Sequence, residues 1–432
     1  MKAVIKLLFA TLFILMPSLA EAQIGTRYPS ERTVVEDPET GNELIFLTRS
    51  TSRDSKIYPT HPQWTSDGQW VIFRSDRVRG EAMAVNEVTG DIVQVTEGGY
   101  RGMLHIARKS MHLYLMRPAL DQEEGAMEIV QVDLELVFRD SEAGRMKSPS
   151  HYQKVVGTIP SSYGVHSDLA LDADEQSIYF RLGKEEAGRH LDPDTEIQPE
   201  WGPRNMGEGP GGIGRMDLTN GEISHVISVP FQVGHTQANP WQPGEIVFCW
   251  ETGGKSPQRT WIVKSDGTGL RPLYPEAEYE WVTHEAVISR DEVVMAIMGH
   301  RDVESVEDNP TEENWGPSGT REKPTGLAVV NLRTREMMIA GQTESGSGLW
   351  HVHGSSDGRW AVGDDFSRSI YLIDRNTRQM KLLSTGHKPS AQDHPHPSFN
   401  ADGDKIIIQS AMLAEDDRSM DIVVIPVPKD WY

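Results

Sequence analysis

The feature that most restricts this chain is a repeat in which a short polar turn leads straight into an apolar strand. Ser66-Asp67-Gly68 precedes Trp70-Val71-Ile72-Phe73, and Arg108-Lys109-Ser110 precedes Leu113-Tyr114-Leu115. Asp172-Ala173-Asp174 precedes Ile178-Tyr179-Phe180, Pro243-Gly244 precedes Ile246-Val247-Phe248, and Ser289-Arg290-Asp291 precedes Val293-Val294-Met295. Ser355-Ser356-Asp357-Gly358 and Asn400-Ala401-Asp402-Gly403 open the last two copies, ahead of Trp360-Ala361-Val362 and Ile406-Ile407-Ile408. A second hairpin signal follows many of them, as in Leu218-Thr219-Asn220-Gly221 and Asp374-Arg375-Asn376-Thr377. Two hairpins per repeat make a four-stranded sheet, and such a sheet cannot bury both faces alone. Seven copies therefore predict an all-β, seven-bladed β-propeller, closed by pairing of Asp421–Pro426 with a strand near Leu44–Leu47.

On length alone, a chain this long would suggest several domains, but a repeat overrides that prior. Residues 1–22 read as a cleaved signal peptide. Lys2 and Lys6 precede an apolar run from Leu7 to Leu15, and Ala20-Glu21-Ala22 supplies the cleavage pattern. The expectation is one domain over 23–432, exported, in the periplasm if the host is Gram-negative. No other apolar stretch reaches the ~18 residues that a membrane span needs. The loops 183–214 and 301–326, rich in Gly, Pro, Glu and Asn, read as insertions that form either functional rims or mobile segments.

A single cysteine, Cys249, excludes an intrachain disulfide and a thiolate metal cage. It lies in the apolar run Ile246–Trp250 and reads as a buried, inert thiol. The net charge of −22 excludes a general nucleic-acid binder. It also repels a polyanion, so an anionic ligand would have to be held by local arginines or a metal.

Several of the fifteen histidines occupy equivalent places in their repeats. In His394-Pro395-His396-Pro397, residues i and i+2 of an extended segment face one side, where two imidazoles can chelate one cation. His284 lies seven residues before Asp291, His351 and His353 lie just before Asp357-Gly358, and His235 lies nine residues before Gly244. Stacking of blades around a channel brings these positions to one rim.

At these residues the chain resembles the oligogalacturonate lyases. The resemblance runs through Val233-Gly234-His235 to Phe248-Cys249, Arg259-Thr260-Trp261 to Ser265-Asp266-Gly267, and Thr283-His284-Glu285. It continues through Val362-Gly363-Asp364 and His394 to Phe399, with Thr40-Gly41 and Leu47-Thr48 near the start. It implies a seven-bladed propeller that cleaves oligogalacturonides by β-elimination with a divalent cation of the Mn2+ type. The implied ligands are His284, His394 and His396, and the implied base is His235. The family places a glutamine ligand three residues before its His-x-His, where this chain has Ala391. Gln392, Asp393 or water remain open as the fourth ligand. After Cys249, where a histidine-glutamate pair is usual, the chain has Trp250 and keeps Glu251.

The implied chemistry is physically coherent. Loss of the C5 proton of a uronate builds charge on its carboxylate, which a cation neutralises. A neutral imidazole then takes the proton. Arg259 is expected to grip a substrate carboxylate by a two-point contact, with His166 and His351 as further substrate contacts. Two other readings fit the same repeat: a lyase on another uronate glycan of the ulvan or rhamnogalacturonan type, and a non-catalytic TolB-like periplasmic binding propeller.

Overall fold

The computed structural model describes residues 23–49, 51–165, 167–201, 206–252, 256–277, 280–300, 325–342 and 349–431. The expected signal peptide, His166 and nearly all of the 301–326 insertion lie outside the described residues. Seven antiparallel sheets follow one another as blades of a propeller, five with four strands and two with five. Their innermost strands, blades 1 to 7, are Asp54–Lys56, Arg101–Ile106, Leu169–Leu171, Val233–Ala238, Glu280–Ser289, His351–Gly354 and Ser398–Phe399. All seven turn-plus-strand units predicted from sequence fall between the first and second strands of a blade.

The turn chemistry explains the repeat. In blade 1, Asp67 Oδ1 accepts from Thr65 Oγ1 (2.6 Å) and from the Gln69 amide (3.0 Å), and Gly68 takes φ +69°. In blade 6, Asp357 Oδ1 does the same for Ser355 and Arg359, with Gly358 at φ +78°. A side chain that mimics a backbone turn, followed by a residue tolerant of positive φ, fixes the hairpin.

The second strand is apolar along its whole length because both faces are covered. Ile246 and Phe248 pack toward blade 3, with Ala170 and Tyr179, while Val247 packs toward blade 5, with Val293 and Met295. The ring closes as the sequence predicts. Strand Glu43–Phe46 pairs with Asp421–Pro426, matching Ile45 to Val424 and Phe46 to Val423. Leu44 and Phe46 then face Trp360 and Ile370 of blade 6, whereas Ile45 and Leu47 face Val71 and Phe73 of blade 1.

Two short helices decorate the sheets. Leu134–Glu142 is capped by Asp133, whose carboxylate accepts from the Leu136 amide at 2.9 Å. It buries Leu134, Val137 and Phe138, and Phe138 stacks on Trp70 with ring centroids 4.0 Å apart. Lys184–Arg189 occupies the first part of the 183–214 insertion, and strand Glu208–Asp217 takes up its end. Among the described residues no helix is long and apolar enough to cross a membrane.

Candidate active site

Innermost strands of a propeller line its channel, and here two of them, and the approach to a third, turn histidines by breaking regular backbone geometry. Pairing in blade 4 slips between Gly234 and Gln237, where His235 has φ +48°. Pairing in blade 5 slips between Thr283 and Ala286, where His284 has φ +53°. His396, two residues ahead of the innermost strand of blade 7, has φ +52°. A bulge re-aims a side chain, and a non-glycine residue held at positive φ costs about 1–3 kcal/mol. The other non-glycine residues with positive φ, such as Glu175 and Arg378, sit in turns and connections outside the strands. Strain inside or next to the blades' innermost strands is therefore spent on the three histidines.

His235 stands in a charged nest. Its Nε2 lies 3.3 Å from Glu251 Oε2, and its Nδ1 lies 3.2 Å from Glu285 Oε1. Arg259 joins the two carboxylates from behind: Nε meets Glu285 Oε2 at 2.9 Å and Nη2 meets Glu251 Oε2 at 3.4 Å. Gly234 permits this approach, because a Cβ there would sit 2.8 Å from Glu251 Cβ. Burial alone would lower the pKa of His235, but Glu285 and Glu251 outweigh it and hold the imidazole above its ordinary value. Burial works against the Glu285 carboxylate, yet Arg259 and His235 hold it well below the usual carboxylate range. Cys249 is buried beside them, and desolvation pushes its thiol up, in keeping with the inert role expected.

Arg259 is 1% exposed. In place of the open two-point edge expected from sequence, only Nη1 is without a hydrogen bond among the described residues. Its geometry is that of a residue holding the carboxylates around His235.

Beside this nest lies a cluster of imidazoles from blades 5, 6 and 7. The His351 ring lies 4.1 Å from that of His284, 3.8 Å from that of His396 and 5.2 Å from that of His394. Asp364, on the next strand of blade 6, has its carboxylate 3.2 Å from His351 Nδ1 and 3.3 Å from His394 Nδ1. Tyr58 Oη lies 2.6 Å from His284 Nδ1, and its ring also touches those of His235 and His396. Desolvation, reinforced by neighbouring cationic groups, lowers His284, His351 and His396 well below the ordinary imidazole value. Burial thus favours their neutral forms, whose lone pairs can bind a metal.

The donor set suits a divalent cation. Donor atoms of His351, Asp364 and His394 lie within 4.8 Å of one another, and His394 Nδ1 is buried without a hydrogen bond. The structure brings His235, Arg259, His284, His394 and His396 into one region, on the axis of the propeller. It does not bring Gln392 in: that residue is exposed, and its backbone N–H donates to the Arg418 carbonyl. Asp393 comes nearer, with Oδ1 3.5 Å from His396 Nε2.

Sequence reasoning missed Tyr58 and Lys56 as site residues, and it named Glu285 and Asp364 only within motifs. Lys56 is buried at the end of the innermost strand of blade 1, where desolvation lowers its amine well below the ordinary value. Glu285 had a signal in its adjacency to His284, whereas Tyr58 and Lys56 lie in a stretch with no repeated motif. An aromatic wall was also missed: Trp350 lies 4.9 Å from the His284 ring and 4.8 Å from the partly exposed Phe366.

No family model matches the chain. Over 220 residues, 45% of this chain, it is 22% identical to an oligogalacturonide lyase of Pectobacterium atrosepticum. The match spans about half, 51%, of that curated relative. The fold is similar to that of an oligogalacturonate lyase in complex with manganese, with TM-score 0.71 and 17% identity, covering 95% of this chain and 100% of that one. An oligogalacturonate lyase from Vibrio parahaemolyticus is similar at TM-score 0.69 and 17% identity, over 95% of this chain and 100% of that one. At such identities the structural likeness establishes the shared propeller. The resemblance read from sequence is thus met again both in a curated relative and in the fold.

Proposed function

We propose that this chain is a metal-assisted lyase that cleaves uronate-containing oligosaccharides, oligogalacturonides first among them, by β-elimination, after export from the cytoplasm. One observation carries the reading: an imidazole flanked by two carboxylates, His235, stands next to a cluster of imidazoles from three further blades. The rings of His235 and His284 are 6.4 Å apart, with Tyr58 packed against both.

In this reading His284, His394 and His396 hold a divalent cation of the Mn2+ type. That ion, when bound, supplies a Lewis acid for the charge that develops on a substrate carboxylate. His235 takes the C5 proton, as a neutral imidazole does above its pKa. Glu285 and Glu251 stabilise the imidazolium that forms, and Arg259 holds Glu285 ionised and both carboxylates in place. The C4–O bond then breaks, the glycosidic oxygen leaves, and a C4–C5 double bond remains. No water attacks, so the carboxylate pair of a glycoside hydrolase has no part here. Trp350 and Phe366 offer apolar faces against which a sugar ring can lie.

The test is an ultraviolet assay for the unsaturated uronate product. The protein is mixed with oligogalacturonides, ulvan or rhamnogalacturonan fragments, with Mn2+ or with chelator. Absorbance that rises on oligogalacturonides and is lost with chelator is the expected result. Activity confined to another uronate glycan would move the substrate. Silence on all three would remove the lyase reading.

A further inference from the structure

The glutamine that would complete the ligand set is missing at Ala391, and Gln392 is exposed. Another side chain already stands among the three expected ligands. His351 enters from blade 6, a blade that contributes none of them, and is 3% exposed. Each of the other three imidazoles faces it, at 3.8, 4.1 and 5.2 Å between ring centroids. Two imidazoles on one ion, with metal–nitrogen bonds of about 2.1 Å, place their ring centroids about 4.5–5 Å apart. The 5.2 Å between His351 and His394 lies at the upper edge of that range, and donor atoms of these two residues and of Asp364 lie within 4.8 Å of one another, whereas His284 and His396 stand in closer ring contact with His351.

Asp364 gives the second argument. Its carboxylate lies near both His351 and His394, and it also accepts the His351 backbone amide at 2.6 Å. A carboxylate in contact with a ligating imidazole, itself anchored to the backbone, is the usual means of fixing the ring's orientation. His351 Nδ1 is hydrogen-bonded to Asp364, whereas His394 Nδ1, 3.3 Å from the same carboxylate, is buried without a hydrogen bond and so has a donor atom to offer an ion.

We infer that His351 replaces the missing amide as the fourth protein ligand of the divalent cation, its ring oriented by Asp364. The inference rests on the metal-assisted reading above, but it concerns the composition of the site and not the reaction. It has a consequence for the ion. Imidazole suits Zn2+, Co2+ and Ni2+, whereas carbonyl oxygen and water suit Mn2+. A site with four imidazoles therefore discriminates less in favour of Mn2+ than one with three imidazoles and an amide.

The experiment is calorimetric titration of the chelator-treated full chain with Mn2+ and, separately, Co2+, for the wild type and the His351→Ala, His351→Gln and Gln392→Ala variants. His351→Ala is expected to bind both ions at least tenfold more weakly, and Gln392→Ala to bind as the wild type does. His351→Gln, which keeps a donor and fills the space, is expected to retain Mn2+ better than Co2+ and to alter the visible spectrum of bound Co2+. Circular dichroism establishes that each variant is folded. Wild-type affinity and an unchanged Co2+ spectrum in folded His351→Gln would overturn the inference, as would loss of metal in Gln392→Ala. If the wild type binds ions through His351 and yet cleaves no uronate, the lyase reading fails while the ligand assignment stands. If the wild type binds neither ion, both fall.

Discussion

Replacing Arg259 by methionine tests whether this arginine is a substrate clamp or the keystone of the nest around His235. The guanidinium is fully buried, and two of its nitrogens contact Glu285 and Glu251 at 2.9 and 3.4 Å. Methionine fills much of the space but leaves a Glu285 side chain with no exposed surface facing Glu251, with His235 as the remaining cationic partner. Breaking a buried ion pair from one side costs about 3–5 kcal/mol. With an unfolding entropy of about 2.1 cal/mol/K per residue over about 400 residues, that loss lowers Tm by about 4–6 °C. Scanning calorimetry reads it directly. Arg259→Met combined with Glu285→Gln removes the stranded charge and should recover part of the loss. The same variant has a second signature. Arg259 acts to lower the pKa of His235, so without it His235 holds its proton to higher pH and the acid limb of kcat/KM moves up. A Tm loss below about 1 °C, with KM alone increased, would refute the structural role and return Arg259 to the substrate.

Glu285→Gln should move the same acid limb the other way. It removes the larger of the carboxylate effects that raise His235, so the base stays unprotonated to lower pH; an unchanged limb in a kcat/KM profile would count against His235 as the base. Tyr58→Phe removes the hydroxyl 2.6 Å from His284 Nδ1 and should weaken divalent-cation binding by about 10–100-fold in a calorimetric titration, the usual effect of losing a partner that orients a ligand. Asp421, at the closing strand, is pushed up to about 8 by burial and by Asp54 and Glu31, against Arg77 and Arg49. Because its folded pKa lies above the unfolded value of about 4, the folded state binds the extra proton. Its contribution is complete below about pH 4 and is lost as pH rises to about 8. Asp421→Asn should therefore be more stable than the wild type in urea at pH 8, with little difference at pH 4.

The propeller was legible because its signal is repeated. Seven short polar turns, three of them Asp-Gly, each followed by an apolar strand, agree with one another, and the closing pair Ile45–Val424 follows from the ends left over. The histidines were legible for the same reason, as equivalent positions in successive blades. Charge complementarity was not. Glu285, Glu251 and Arg259 belong to two blades, and their meeting depends on a bulge at His235 and on the missing Cβ of Gly234. Tyr58 and Lys56 come from blade 1, whose innermost strand is too short to show a pattern. The helix Leu134–Glu142 was missed because nine residues hold too few turns of helical periodicity to stand out from an all-β sequence.

The protein's strong negative charge fits the proposed substrate only if the ion is part of the binding site. Glu251, Glu285, Asp364 and Asp393 stand around the channel, against Arg259, Arg368 and a Lys56 whose burial disfavours its charged form. Arg259 is already committed to two of these carboxylates. A uronate carboxylate that entered without a cation would meet an excess of negative charge in a site of low dielectric, where repulsion is poorly screened. A bound divalent ion reverses the sign at the point where the carboxylate must sit. Ion and uronate binding are then positively coupled, and by linkage each must tighten the other by the same factor. On the proposed reading the acidity of the chain is a device of selectivity: the site would reject anions until loaded, and then accept one that can reach the ion. A uronate oligomer that bound the chelator-treated protein as tightly as the metal-loaded protein would contradict this account.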